Sequence, residues 1–240
     1  MWWWGSARCP VRDVERDWID TSLDWLLAEF GPDRLRGTVL LPTDDFFPGA
    51  YRGTREDTRT VLGLLCAHME IDPARIDLEH YSDDADPELS AHVPLNSRSR
   101  GAAGHHRMRD GRSVIGIADE QADAPMALVA TIAHELGHVL LLAEGRISPR
   151  REDHEPLTDL LTVFFGLGVF AANSAFEYAG DAGGYRTSRL GYLTEPMFGY
   201  ALARYAWLRG ETDPPWARHL DTNPRTFLRQ GLRFLARTPG

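Results

Sequence analysis

Between Met126 and Ala143 the chain reads Met-Ala-Leu-Val-Ala-Thr-Ile-Ala-His-Glu-Leu-Gly-His-Val-Leu-Leu-Leu-Ala, an apolar run long enough for one buried helix that nevertheless carries His134, Glu135 and His138. At about 3.6 residues per turn the two histidines stand one above the other on a single face, where both imidazoles can reach one tetrahedral ion. Glu135 falls on a neighbouring face, placed to touch a water without being a ligand. Two imidazoles and a carboxylate on an otherwise aliphatic helix are costly to bury without partners, so the pattern favours a metal over a plain core helix. Gly137 leaves room beside the ion, and Val139 to Leu142 bury the end of the helix. Such a helix constrains the fold around it, because its ligands must meet a third one brought from elsewhere in the chain.

A catalytic zinc usually takes three protein ligands and keeps a fourth position open. Downstream, Gly145 and Pro149 interrupt the chain, and 153–165 reads as a second helix with Pro156 near its start and acidic residues in its first turn. Glu155 and Asp159 are four residues apart and share a face. Residue type alone leaves Glu155, Asp159, His154 and Asp153 open as the third ligand.

This pair of helices resembles the gluzincin metallopeptidases, the thermolysin-like class, in which the His-Glu-x-x-His helix is followed by one carrying Glu-x-x-x-Asp. The resemblance covers roughly Met126 to Asn173. It implies one zinc ion per chain held by His134, His138 and Glu155, with Asp159 orienting the ring of His134 and Thr158 standing where the class often has a small hydroxyl residue. His154 departs from the class, which has Asn there. The implied activity is hydrolysis of peptide bonds in a peptide or protein substrate, with zinc lowering the pKa of a water and Glu135 acting as general base. A hydrogen-bond donor for the developing oxyanion is also required. Tyr178, Tyr185, Tyr192, Tyr200, Arg186, Arg189 and His219 are the candidates, and Tyr192 is favoured by its polar, Gly-containing surroundings. The alternative is a zinc-binding protein that is not a peptidase, in which the metal staples helices of a binding or regulatory module.

At 240 residues, 43 % hydrophobic and 25 % charged, the chain has the composition of an ordinary globular protein. Its net charge of -9, all 26 basic residues being Arg, argues against nucleic acid or an anionic membrane as a partner. The opening Met-Trp-Trp-Trp-Gly-Ser-Ala-Arg lacks the basic and apolar regions of a secretory signal, and no segment is expected to have the length of a membrane span. Cys9 and Cys66 are too few and too far apart for a disulfide framework. A cytoplasmic location is therefore expected.

The expected architecture is α+β and zincin-like, one domain made of a small mixed-sheet lobe (1–122), the metal-binding helix pair (123–172) and a helical lobe (173–240). Helices are expected over 11–30, with Val14, Trp18, Leu23, Trp25, Leu26 and Phe30 as its apolar face, and over 54–69, 196–208 and 222–236. Strands are expected over 38–42, 75–81 and 112–118, the last being similar to the edge strand that leads into the metal helix of zincins. A long polar loop is expected over 82–104, and 173–195 reads as a Gly-rich, polar stretch bordering the cleft. His105 and His106 read as a solvated loop pair, and Trp207 and Trp216 as packing residues.

Overall fold

A computed structural model describes residues 8–47, 49–81, 104–180 and 193–237 of the chain, with the backbone alone at 176–180. In chain order the elements are helix α1 (Asp13–Phe30), a single turn Pro32–Leu35, α2 (Arg55–Met69), strand β1 (Ile76–Tyr81), β2 (Gly104–Arg109), β3 (Arg112–Ala118), α3 (Pro125–His138), α4 (His154–Phe164), α5 (Gly168–Gly180), α6 (Glu195–Leu208) and α7 (Thr222–Leu235). The protein is thus mainly helical with one small sheet, an α+β architecture in the broad sense. The chain divides into two compact units, Pro42–His154 and a second made of Met1–Leu41 with Glu155–Gly240.

The first unit holds the whole sheet, in the order β1-β3-β2. β1 runs parallel to β3, pairing Ile76 with Ser113 and Tyr81 with Ala118. β2 runs antiparallel to β3, pairing Gly104 with Ile117 and Arg109 with Arg112. Asp110 and Gly111, both at positive φ (51° and 77°), form the two-residue turn between them, the Asp-Gly choice that matches the twist of a tight hairpin. Two expectations are corrected here. Residues 112–118 form the central strand, because the hairpin adds β2 outside it, and His105 and His106 lie within that new edge strand rather than in a loop. Helix α2 begins at Thr54, whose Oγ1 accepts the amide of Asp57 at 3.1 Å while Asp57 accepts the amide of Thr54 at 2.9 Å, a reciprocal cap of the first turn.

Helix α3 continues into a π-helical turn at Val139–Ala143, where the amide of Glu144 reaches the Val139 carbonyl at 3.1 Å. Together Pro125–Ala143 is 19 residues and is long and apolar enough to cross a membrane, contrary to the expectation from sequence. Most of it (83 %) is buried within the protein, as for the core helix of a globular domain. Leu128, Val129, Ile132 and Leu136 are fully enclosed, and each contributes about 1.5–3 kcal/mol relative to exposure. That aliphatic burial offsets the cost of the three polar residues on the same helix.

In the second unit, α6 and α7 cross closely because small residues meet. A Cβ at Gly199 would overlap that of Phe227, and one at Gly231 would come within 2.6 Å of Ala203 Cβ. The buried face of α1 is Ile19, Leu23 and Leu26, while Val14 is largely exposed, so the first turn of that face extends beyond the core. Residues 38–42 do not form a strand. The Leu40 amide bonds the Gly166 carbonyl at 2.9 Å, and Gly166, at φ 79°, sits so close that a Cβ would be 2.6 Å from the Thr38 carbonyl oxygen. An extended segment with one such bond lacks the neighbouring strand a ladder needs. α5 continues through Asn173 to Gly180, into the stretch that reads as Gly-rich and polar. The loop expected over 82–104 lies outside the described residues except Gly104, which begins β2. Trp216 is buried and donates its indole N–H to Glu211 at 2.8 Å, whereas Trp207 is exposed.

Candidate metal site

Pro125 occupies the first turn of α3, where its missing N–H costs nothing. The helix carries Thr131, His134, Glu135 and His138 into the interior, at 5, 8, 5 and 7 % exposure. The His134 and His138 rings lie 4.8 Å apart, nearly perpendicular at 87°. Glu155, half-buried in the first turn of α4, completes the group. One ligand atom from each of His134, His138 and Glu155 falls within 4.8 Å of the others. Zinc takes N and O ligands at about 2.0–2.1 Å, and modest side-chain torsions close such a group onto one ion. The donor set, two imidazoles on buried positions and one carboxylate on a half-buried one, therefore fits the metal that the sequence implied.

Of the alternatives for the third ligand, Glu155 is the one that joins the two histidines in this group. Asp159 lies one turn further along α4, buried, with Oδ2 accepting the Leu193 amide at 2.9 Å. Thr158 is fully enclosed beside it. The His154 ring sits 5.9 Å from that of His138. Of the expected oxyanion donors, Tyr192, Tyr185, Arg186 and Arg189 lie outside the described residues, as does the side chain of Tyr178. Tyr200 is completely buried on α6 and shares its hydroxyl between both carboxylate oxygens of Asp20 at 3.2 Å, with burial holding the phenol well above its ordinary pKa. His219 ends the short turn Pro215–His219, where its ring accepts from Arg218 Nε at 3.0 Å. These bonds engage both groups in local structure.

Two features were not anticipated. Strand alternation turns Gly104 and His106 toward α3 and His105 to the opposite face. At Gly104 the strand passes so near the helix that a Cβ would lie 2.6 Å from Thr131 Cγ2 and 3.2 Å from Glu135 Oε1. One step on, the His106 ring is 6.1 Å from that of His138, and its Nε2 is 3.2 Å from Ser113 Oγ. Burial, reinforced by His138 and His105, pushes the His106 pKa down to about 4, so the ring is neutral near pH 7. His105 lies across Gly116, which has no Cβ to obstruct it, with Nε2 at 2.8 Å from Arg107 Nη1. Arg107 in turn pairs with Glu79, which also accepts from Arg109 at 2.6 Å. The signal for β2 was present in the sequence as Asp110-Gly111 directly before a strand.

Comparison with protein-family models, with curated proteins and with solved structures finds no match.

Proposed function

We propose that the protein is a zinc-dependent peptidase of gluzincin type in which His134, His138 and Glu155 hold the metal and Glu135 is the general base. The observation that carries this reading is the meeting of Glu155 with the two histidines while Glu135 stays buried on the same helix. A staple of helices needs ligands but has no need of that extra carboxylate, which in the interior is expensive to keep. Zinc, when bound, supplies a Lewis acid that polarises the substrate carbonyl and acidifies a water. The chain's own residues do the rest. Glu135 takes the proton of the water whose oxygen adds to the carbonyl carbon, and delivers it to the amine as the C–N bond breaks. Asp159, whose Oδ2 accepts the Leu193 amide, is the carboxylate we assign to orienting the ring of His134.

Glu135→Gln tests the assignment. It preserves size and should keep zinc at the wild-type level while hydrolysis of a peptide library falls at least 100-fold. Equal cleavage by both proteins would refute Glu135 as the base.

A further inference from the structure

We propose that His106, on edge strand β2, is a further catalytic residue that donates a hydrogen bond to the substrate oxygen on which charge develops. This deepens the proposed function and rests on the metal reading. The same face of the sheet carries Ile76, Leu78, Ile115 and Ile117 with Gly104, Met108 and Ser113, and its other imidazole, His80, faces Asp119 at 3.6 Å. Packing alone would be served by another aliphatic residue at 106, since even a half-buried imidazole costs free energy to desolvate. Its location is also specific. Gly104, two residues earlier on the same strand face, rests against Glu135, and His106 lies beside His138, so the strand passes the base and then a ligand.

Separation decides between ligand and substrate contact. Two imidazoles on one tetrahedral zinc have ring centres about 5 Å apart. His134 and His138, at 4.8 Å, meet that figure, whereas His106 and His138, at 6.1 Å, exceed it. His106 also lies outside the group whose ligand atoms converge. It is thus too distant to join the ligands and close enough to meet what they hold. Ser113 Oγ lies 3.2 Å from Nε2 and 3.4 Å from the thioether sulfur of Met108, the weaker acceptor; with its hydroxyl turned to Nε2 the ring proton sits on Nδ1, as a donor to substrate. The side chain would then supply from the sheet the stabilisation that the buried hydroxyl of Tyr200 does not.

Two variants of similar volume separate chemistry from packing. His106→Gln keeps an N–H donor and His106→Met removes it. For each, zinc content and melting temperature are measured, and the affinity of the zinc-loaded protein for acetohydroxamate, a small oxygen ligand, is obtained by calorimetry. The expected result is full zinc in both, with Kd raised at least 10-fold in the Met variant and less than 3-fold in the Gln variant. Wild-type affinity in both, equal weakening in both, or loss of zinc from either would overturn the proposal. A wild-type protein that takes up no zinc would overturn it together with the metal reading. A wild-type protein that binds zinc and acetohydroxamate in a His106-dependent way, but cleaves no peptide, would refute the peptidase reading alone.

Discussion

Replacing Gly104 by Ala probes the close approach of strand β2 to helix α3. The added methyl would stand 2.6 Å from Thr131 Cγ2 and 3.3 Å from Glu135 Cγ, against an ordinary carbon–carbon contact of about 3.5–4.0 Å. Roughly 1 Å must therefore be found, and the neighbour is a β-branched methyl on a buried helix, with one favoured rotamer or two. Overpacking of this kind costs about 1–3 kcal/mol. The gain from removing glycine's conformational freedom offsets about 0.5–1 kcal/mol of that. A net loss of about 1–2 kcal/mol should lower the melting temperature by roughly 2–8 °C for a chain of this size. Thr131→Ser, which removes Cγ2, should recover most of the loss in the double variant, as expected of residues in contact. Circular dichroism melts of the four proteins give the coupling directly. An Ala variant as stable as wild type, or a Thr131→Ser change that only adds a further loss, would refute the placement of β2 on α3.

Other consequences follow from helix packing and from a buried histidine. Gly199→Ala gains about 1 kcal/mol of helix propensity but must push Phe227 and the Leu228 amide, 3.1 Å away, off α6; the denaturant midpoint should fall, and a rise would contradict the close crossing of α6 and α7. His80 is held below its usual pKa by burial and by Arg55 and Arg59, with Asp119 opposing. The unfolded chain then takes up the proton first, so this residue contributes nothing to pH dependence above about pH 6.5 and reduces stability as the pH falls from there toward its folded value. His80→Gln should accordingly flatten the decline in denaturant midpoint between pH 7.5 and 5.5, and an unchanged slope would show that the ring is not protected from protonation.

Much of the helical framework was legible because its signals are local. Apolar spacing located α1, α2, α3, α4, α6 and α7, and Gly31-Pro32 and Pro125 marked ends of helices through backbone chemistry that neighbours hardly alter. Of the His134, His138 and Glu155 group, helical periodicity made the first two legible, whereas the third was implied by the resemblance of the helix pair to the gluzincins, residue type alone leaving several candidates open. What escaped depends on pairing across the chain. Residues 38–40 have strand composition, yet whether they form a strand is decided by Gly166, more than 120 positions away. Residues 104–109 have little apolar alternation, because their inward members are Gly104, His106 and Met108. Their strand identity comes from β3 through the Asp110-Gly111 turn. Once the pairing is made, a histidine that looked solvated becomes half-buried beside the ring of His138.

The most direct test is zinc per chain by mass spectrometry, on protein purified without added chelator, for wild type and for Glu155→Ala. One zinc per wild-type chain, and a loss of most of it in the variant with the helical circular dichroism retained, is the expected result. A wild-type protein without zinc, or a variant that keeps its full complement, would contradict the three-residue site on which the functional account depends.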